Sequence, residues 1–133
     1  MPRQNQLVLQ LLALCVCLVV LTIAVSCGGG GGTNPALPQS PAVDDSLINA
    51  SFDTNTLVLT IQGAAGAVEV GASVFVRDGD NNTAWALADT LGAFSITNFP
   101  VGFITTPGTS LAVTQSSPGH SEGPASNVVI VGV

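Results

Sequence analysis

The chain has 133 residues, room for one domain, of which 47% are hydrophobic and only 8% charged. Two arginines, Arg3 and Arg77, stand against eight acids, and there is no lysine. That balance leaves no electrostatic footprint for nucleic acid and no basic patch for anionic lipid headgroups.

At the N-terminus a single positive charge, Arg3, precedes a run at 7–25 that is apolar except for Gln10 and Thr22. A charged start, a greasy stretch and then small residues is the order of a secretory signal. The run also approaches the roughly 20 residues that cross a bilayer, so an uncleaved signal anchor is the alternative. After it comes "IAVSC", Ile23 to Cys27, and then five glycines, Gly28 to Gly32.

This stretch resembles the lipobox of bacterial lipoproteins, with Ala24 where leucine is usual. The resemblance implies a diacylglyceryl group on the Cys27 thiol, a cut between Ser26 and Cys27, and acylation of the new N-terminus. Cys27 is then the lipidation site and the membrane anchor, and residues 1–26 are the signal. Gly28 in place of aspartate implies sorting to the outer membrane of a bacterial envelope. Cys15 and Cys17 fall inside the signal, so the remaining chain has no second thiol and no internal disulfide. Loss of Arg3 leaves one cation against eight acids, a net charge of −7.

Residues 27–43 combine the glycines with Pro35, Pro38 and Pro41 and read as a flexible linker. Such a linker has a root-mean-square span of roughly 20 Å and reaches about 50 Å when stretched. The glycines lack the strand, helix and lysine that accompany a phosphate-cradling loop, so no cofactor is expected.

Residues 44–133 change to short β-rich runs between Gly, Asn, Asp, Pro and Ser. At 56–61, Leu57, Leu59 and Ile61 share one face, and at 73–76 Val74 and Val76 do so. The run at 83–88 places Trp85 and Leu87 on one side and alanines on the other. Phe94 pairs with Ile96, Leu111 with Val113, and the run 127–133 is almost wholly apolar. Period-2 patterning with frequent turn signals predicts an all-β domain, an antiparallel β-sandwich. The last run carries no charge to guard a sheet edge, which suits pairing with a partner strand.

The segments "GAVEVGASVFV", "DGDNN" and "ADTLGAFS" resemble the immunoglobulin-like domains of bacterial surface proteins, over about residues 57–133. Carboxypeptidase-regulatory-like domains share some of these elements. The resemblance implies an immunoglobulin-like sandwich and no universal active site.

Chemistry could reside in few places. Asp78, Asp80 and Asn82 alternate like the first oxygen ligands of a calcium loop, with Asp89 at the twelfth position. The glycine such a loop needs at its sixth position is Thr83, and Asp, Gly and Asn equally build hairpin turns. His120, Ser121 and Glu122 are adjacent, so on an extended chain they point apart and form no catalytic triad. Trp85, the sole tryptophan, is either a core anchor or an exposed stacking platform for a sugar or peptide. No nucleophile–base constellation is present, so an enzyme is not expected. Two functions fit: an envelope lipoprotein whose domain binds a protein or glycan, or a passive spacer in an envelope assembly.

Overall fold

Alternation of branched apolar and small polar residues builds seven strands in the computed structural model, which describes residues 35–133. The expected signal (1–26), the lipidation site Cys27 and the glycine run lie outside the described residues. In chain order the strands are β1 (Ile48–Asp53), β2 (Val58–Gly63), β3 (Ser73–Arg77), β4 (Thr83–Leu87), β5 (Phe94–Ile96), β6 (Ser110–Ser116) and β7 (Ser126–Gly132). Their spatial order is β4-β3-β6-β7-β1-β2-β5. The one helical turn among the described residues is a 3-10 turn at Asp45–Leu47, capped by the Asp44 carboxylate.

The expectation of a purely antiparallel arrangement is corrected: the sheet is mixed. β1 runs antiparallel to β2 but parallel to β7, with Ala50 opposite Ile130 and Phe52 opposite Gly132. Side-chain alternation is identical in both kinds of ladder, so the sequence pattern carries no record of a neighbour's direction. β7 changes partner along its length. Ser126 to Val129 pair with β6, and Ile130 to Gly132 pair with β1. The run expected as a pairing edge is therefore an interior strand. The ends of the order are β4 and β5, which also come into contact with each other.

Inward side chains from every strand meet in one cluster. Leu59, Ile61, Phe94 and Ile96 come from one half, and Val74, Val76, Leu111, Val113 and Val128 from the other. Truncating one of the fully enclosed members, such as Ile61 or Leu111, to alanine costs about 2–5 kcal/mol.

Three local features differ from the sequence reading or go beyond it, each for a physical reason. Leu57 does not join the face of Leu59 and Ile61; it sits in the β1–β2 turn at φ 57° and is 73% exposed. The Asp53 carboxylate folds that turn by accepting from the backbone N–H of Asn55 (2.8 Å) and Thr56 (3.3 Å). In β4 the alternation is as expected, and it is the alanine side that turns in. Ala84 is buried, while Trp85 and Leu87 point outward at 66% and 64% exposure. The alanines of this strand face the core and the neighbouring β5, where small side chains let the two strands approach. The core-anchor reading of Trp85 is thereby overturned. β1 itself, "INASFD", was not expected, since asparagine and serine dilute its Ile48, Ala50 and Phe52 alternation.

The last part of the expected linker also belongs to the body. Val43 and Ser40 are buried, and Gln39 forms a parallel bridge with Ser121. What holds this strap is Gln115, 1% exposed at an inward position of β6. Its Nε2 donates to the carbonyls of Pro41 and Ala42 (3.2 Å each), and its Oε1 accepts from Glu69 N–H at 2.7 Å. Ser40 Oγ accepts from Ser117 N–H at 2.8 Å, and Gly123 leaves no room for a Cβ, which would lie 2.4 Å from the Pro41 carbonyl. Gln115→Ala removes the buried side chain that ties three backbone groups of the strap and the Glu69 loop together and is expected to cost about 2 kcal/mol, read as a lowered urea midpoint. Faster amide exchange at Ser117 in that variant would report release of the strap.

Candidate functional site

Asp78 sits at the end of β3, buried, and its carboxylate is saturated by the chain. Oδ1 accepts from the backbone N–H of Asp80 (3.0 Å) and Asn82 (2.9 Å). Oδ2 accepts from Asn82 Nδ2 and from Ile104 N–H, both at 2.9 Å. Burial pushes this carboxyl up, yet the bonds from Asn82, Ile104 and Asp80 together hold it below its ordinary value. Asn82 reaches on to the Gly102 carbonyl at 3.2 Å, so the turn pins the loop after β5.

Asp89 lies beyond the other end of β4. Its Oδ1 accepts from Ala93 N–H (2.9 Å) and Leu91 N–H (2.8 Å), which lower its pKa. The strand separates it from Asp78, Asp80 and Asn82, and no metal-holding group of acids, histidines or cysteines occurs among the described residues. The spacing that suggested a calcium loop instead specifies two Asx-type turns, one at each end of β4.

Glu122 turns away from His120. It forms a two-pronged ion pair with Arg77, with Nη2 to Oε2 at 3.0 Å, and also accepts from the Thr114 hydroxyl. Arg77 holds the Glu122 carboxyl below its ordinary range, and Glu122 raises the Arg77 guanidinium in turn. His120 is exposed, with Nδ1 3.1 Å from the Pro118 carbonyl. Those three neighbours form no reacting centre.

What remains is the outward face of β4, β3 and β6. Trp85 stands opposite Phe75, which stands opposite Thr114. The Arg77 guanidinium lies 5.6 Å from the centre of the Phe75 ring, a cation–π contact. Leu87 extends the apolar strip past Trp85. Sequence reasoning singled out Trp85 but missed Phe75 and Arg77 as its companions. Their common odd-numbered positions on adjacent strands were the available signal. No protein-family model, curated protein or solved structure matches the chain.

Asp53, Asp78, Asp89 and Glu122 all have folded-state pKa values below their ordinary ones. The folded chain therefore binds fewer protons than the unfolded chain at acid pH. Their stabilisation is complete above about pH 5 and is lost as pH falls through the folded values, below about pH 4. Urea titrations across this range should show that acid limb. Asp78→Ala should lose about 2–3 kcal/mol at neutral pH and show a shallower acid limb. Fluorescence gives an independent check on the face: Trp85 should emit in the red, solvated range and be quenched by acrylamide almost as freely as a peptide tryptophan.

Proposed function

We propose that this chain is a lipoprotein of the bacterial envelope, held at the outer membrane by an acylated Cys27. Its folded part is an immunoglobulin-like β-sandwich acting as a protein- or glycan-binding module. The observation that carries the anchor is the step at Cys27: an apolar run, small residues, one thiol, then glycines. Cys27 is the last cysteine of the chain, so a body without thiols follows it. Acylation suits this composition, because a body of net charge −7 has no electrostatic attraction to a membrane. Each buried methylene contributes about 0.8 kcal/mol, and two or three acyl chains hold where one binds reversibly.

The sandwich reading is supported by two sets of antiparallel neighbours, β5-β2-β1 and β4-β3-β6-β7, with one shared core. Binding, rather than passive spacing, is supported by Trp85 and Leu87, large apolar side chains kept in water on one face.

Cells fed a labelled fatty acid should incorporate it into the wild-type chain and not into Cys27→Ala. The variant should also keep its signal and migrate as the larger precursor. Persistent labelling of Cys27→Ala would remove the anchor from this reading.

A further inference from the structure

We propose that the edge of β4, unpaired among the described residues, is a docking site for an extended peptide strand with an apolar centre and cationic flanks. This rests on the reading of the chain as a binding module and names the surface and partner class. The argument starts from the ladder. Ala88 N–H donates to the Ala72 carbonyl at 2.9 Å, and Asp78 N–H donates to the Asn82 carbonyl at 3.2 Å. In an antiparallel pair the bonded positions recur every second residue. Between those two closed ends, Ala84 and Ala86 therefore bond to Val76 and Val74. Thr83, Trp85 and Leu87 direct their N–H and C=O groups away from β3. β5 comes close but gives these three residues no backbone hydrogen bond.

The same alternation makes Trp85–Phe75 a non-bonded pair, the kind whose side chains lie closest. An incoming strand would thus gain main-chain bonds at the edge and an aromatic wall beside it. β4 itself carries no lysine, no proline and no charge, the side chains that guard many edges.

Charge selects the occupant. The strand is uncharged but is flanked by exposed Asp80 before it and exposed Asp89 after it. Arg77, the one Lys or Arg among the described residues, is already paired with Glu122. A second copy of this chain would bring aspartates to aspartates across an antiparallel edge. A strand with lysine or arginine at its ends places opposite charge at both.

The test uses the full acylated chain in detergent and a synthetic peptide of alternating valine and threonine bounded by paired lysines. Amide signals of Thr83, Trp85 and Leu87 should shift and gain exchange protection on titration, while those of Ala84 and Ala86 change less. Replacing the lysines by glutamates should weaken binding at least about tenfold, and so should N-methylation of alternate peptide residues, which removes edge donors. Leu87→Pro removes an outward N–H that the ladder does not use and should weaken binding by a similar factor. The N-methylated peptide keeps the test decisive even where Leu87→Pro folds poorly. Equal binding of lysine and glutamate peptides, undiminished binding of the N-methylated peptide, or no binding at all overturns the proposal. So does dimerisation of the chain alone with protection at the β4 amides. The module reading is judged separately by passing envelope extract over the immobilised chain. Proteins retained equally by wild type and Leu87→Pro leave a module without this edge, and an empty column removes the module itself.

Discussion

β7 carries the whole arrangement because it serves two neighbours in succession. Its first half completes the β6 ladder, and its second half covers the outer edge of β1 in parallel. Val133 extends the closure, donating to the Phe52 carbonyl at 3.0 Å and accepting from Thr54 N–H at 3.2 Å. Without this exchange, β1 would present a row of unpaired backbone groups, and Val128 and Ile130 would not reach the same core as Ala50 and Ile61. The hand-off occurs in a run of small branched residues that fit either partner. Pro107 packs nearby, with its ring carbon 3.2 Å from where a Cβ on Gly132 would sit.

A small body with no thiol must draw its remaining order from polar groups, and it places them at its ends. Gln115 gathers the Pro41–Ala42 strap and the Glu69 loop, while Asp78 gathers its own turn and the loop at Ile104. Each is a side chain standing in for backbone partners that irregular segments cannot supply. Both sit at termini of the strands that make the core, so loop placement is tied to the apolar packing. No buried side-chain polar atom among the described residues is left without a partner. A partly satisfied knot would cost more than an apolar one of the same shape.

The strands whose faces were legible were those with two large apolar residues at successive inward positions: Val74 and Val76, Leu111 and Val113, Phe94 and Ile96. β4 was legible as an alternating strand but not for which side turned in. Hydrophobicity ranks Trp85 and Leu87 above alanine, whereas the buried side of the strand, next to β5, carries the alanines. Gln115 was unreadable for a related reason, since a polar residue at an inward position becomes reasonable only once its three partners are known. Leu57 shows the opposite case, where turn geometry overrides a period-2 pattern and puts a leucine in a conformation that glycine adopts at no steric cost. At Asp78 and Asp89 the residue types were read correctly as oxygen-rich, but their demand came from the chain's own N–H groups. Cys27 lies outside the described residues, and its reading as an anchor rests on the composition around it alone.

The electrostatic consequence follows from how few cations there are. Arg77 is committed to Glu122 and Thr114 and is stacked on Phe75, so it neither neutralises the other acids nor repels a basic partner. It ties β3 to β6 and to Glu122 while leaving its surroundings negative. A face that combines exposed aromatic surface with uncompensated carboxylates discriminates against anionic surfaces at long range and rewards apolar contact only at short range. Salt would screen the first effect within about 8–10 Å and leave the second intact. On the proposed docking at β4, charge would set the choice of partner before contact, and Trp85, Phe75 and the strand edge beside them the strength of the contact.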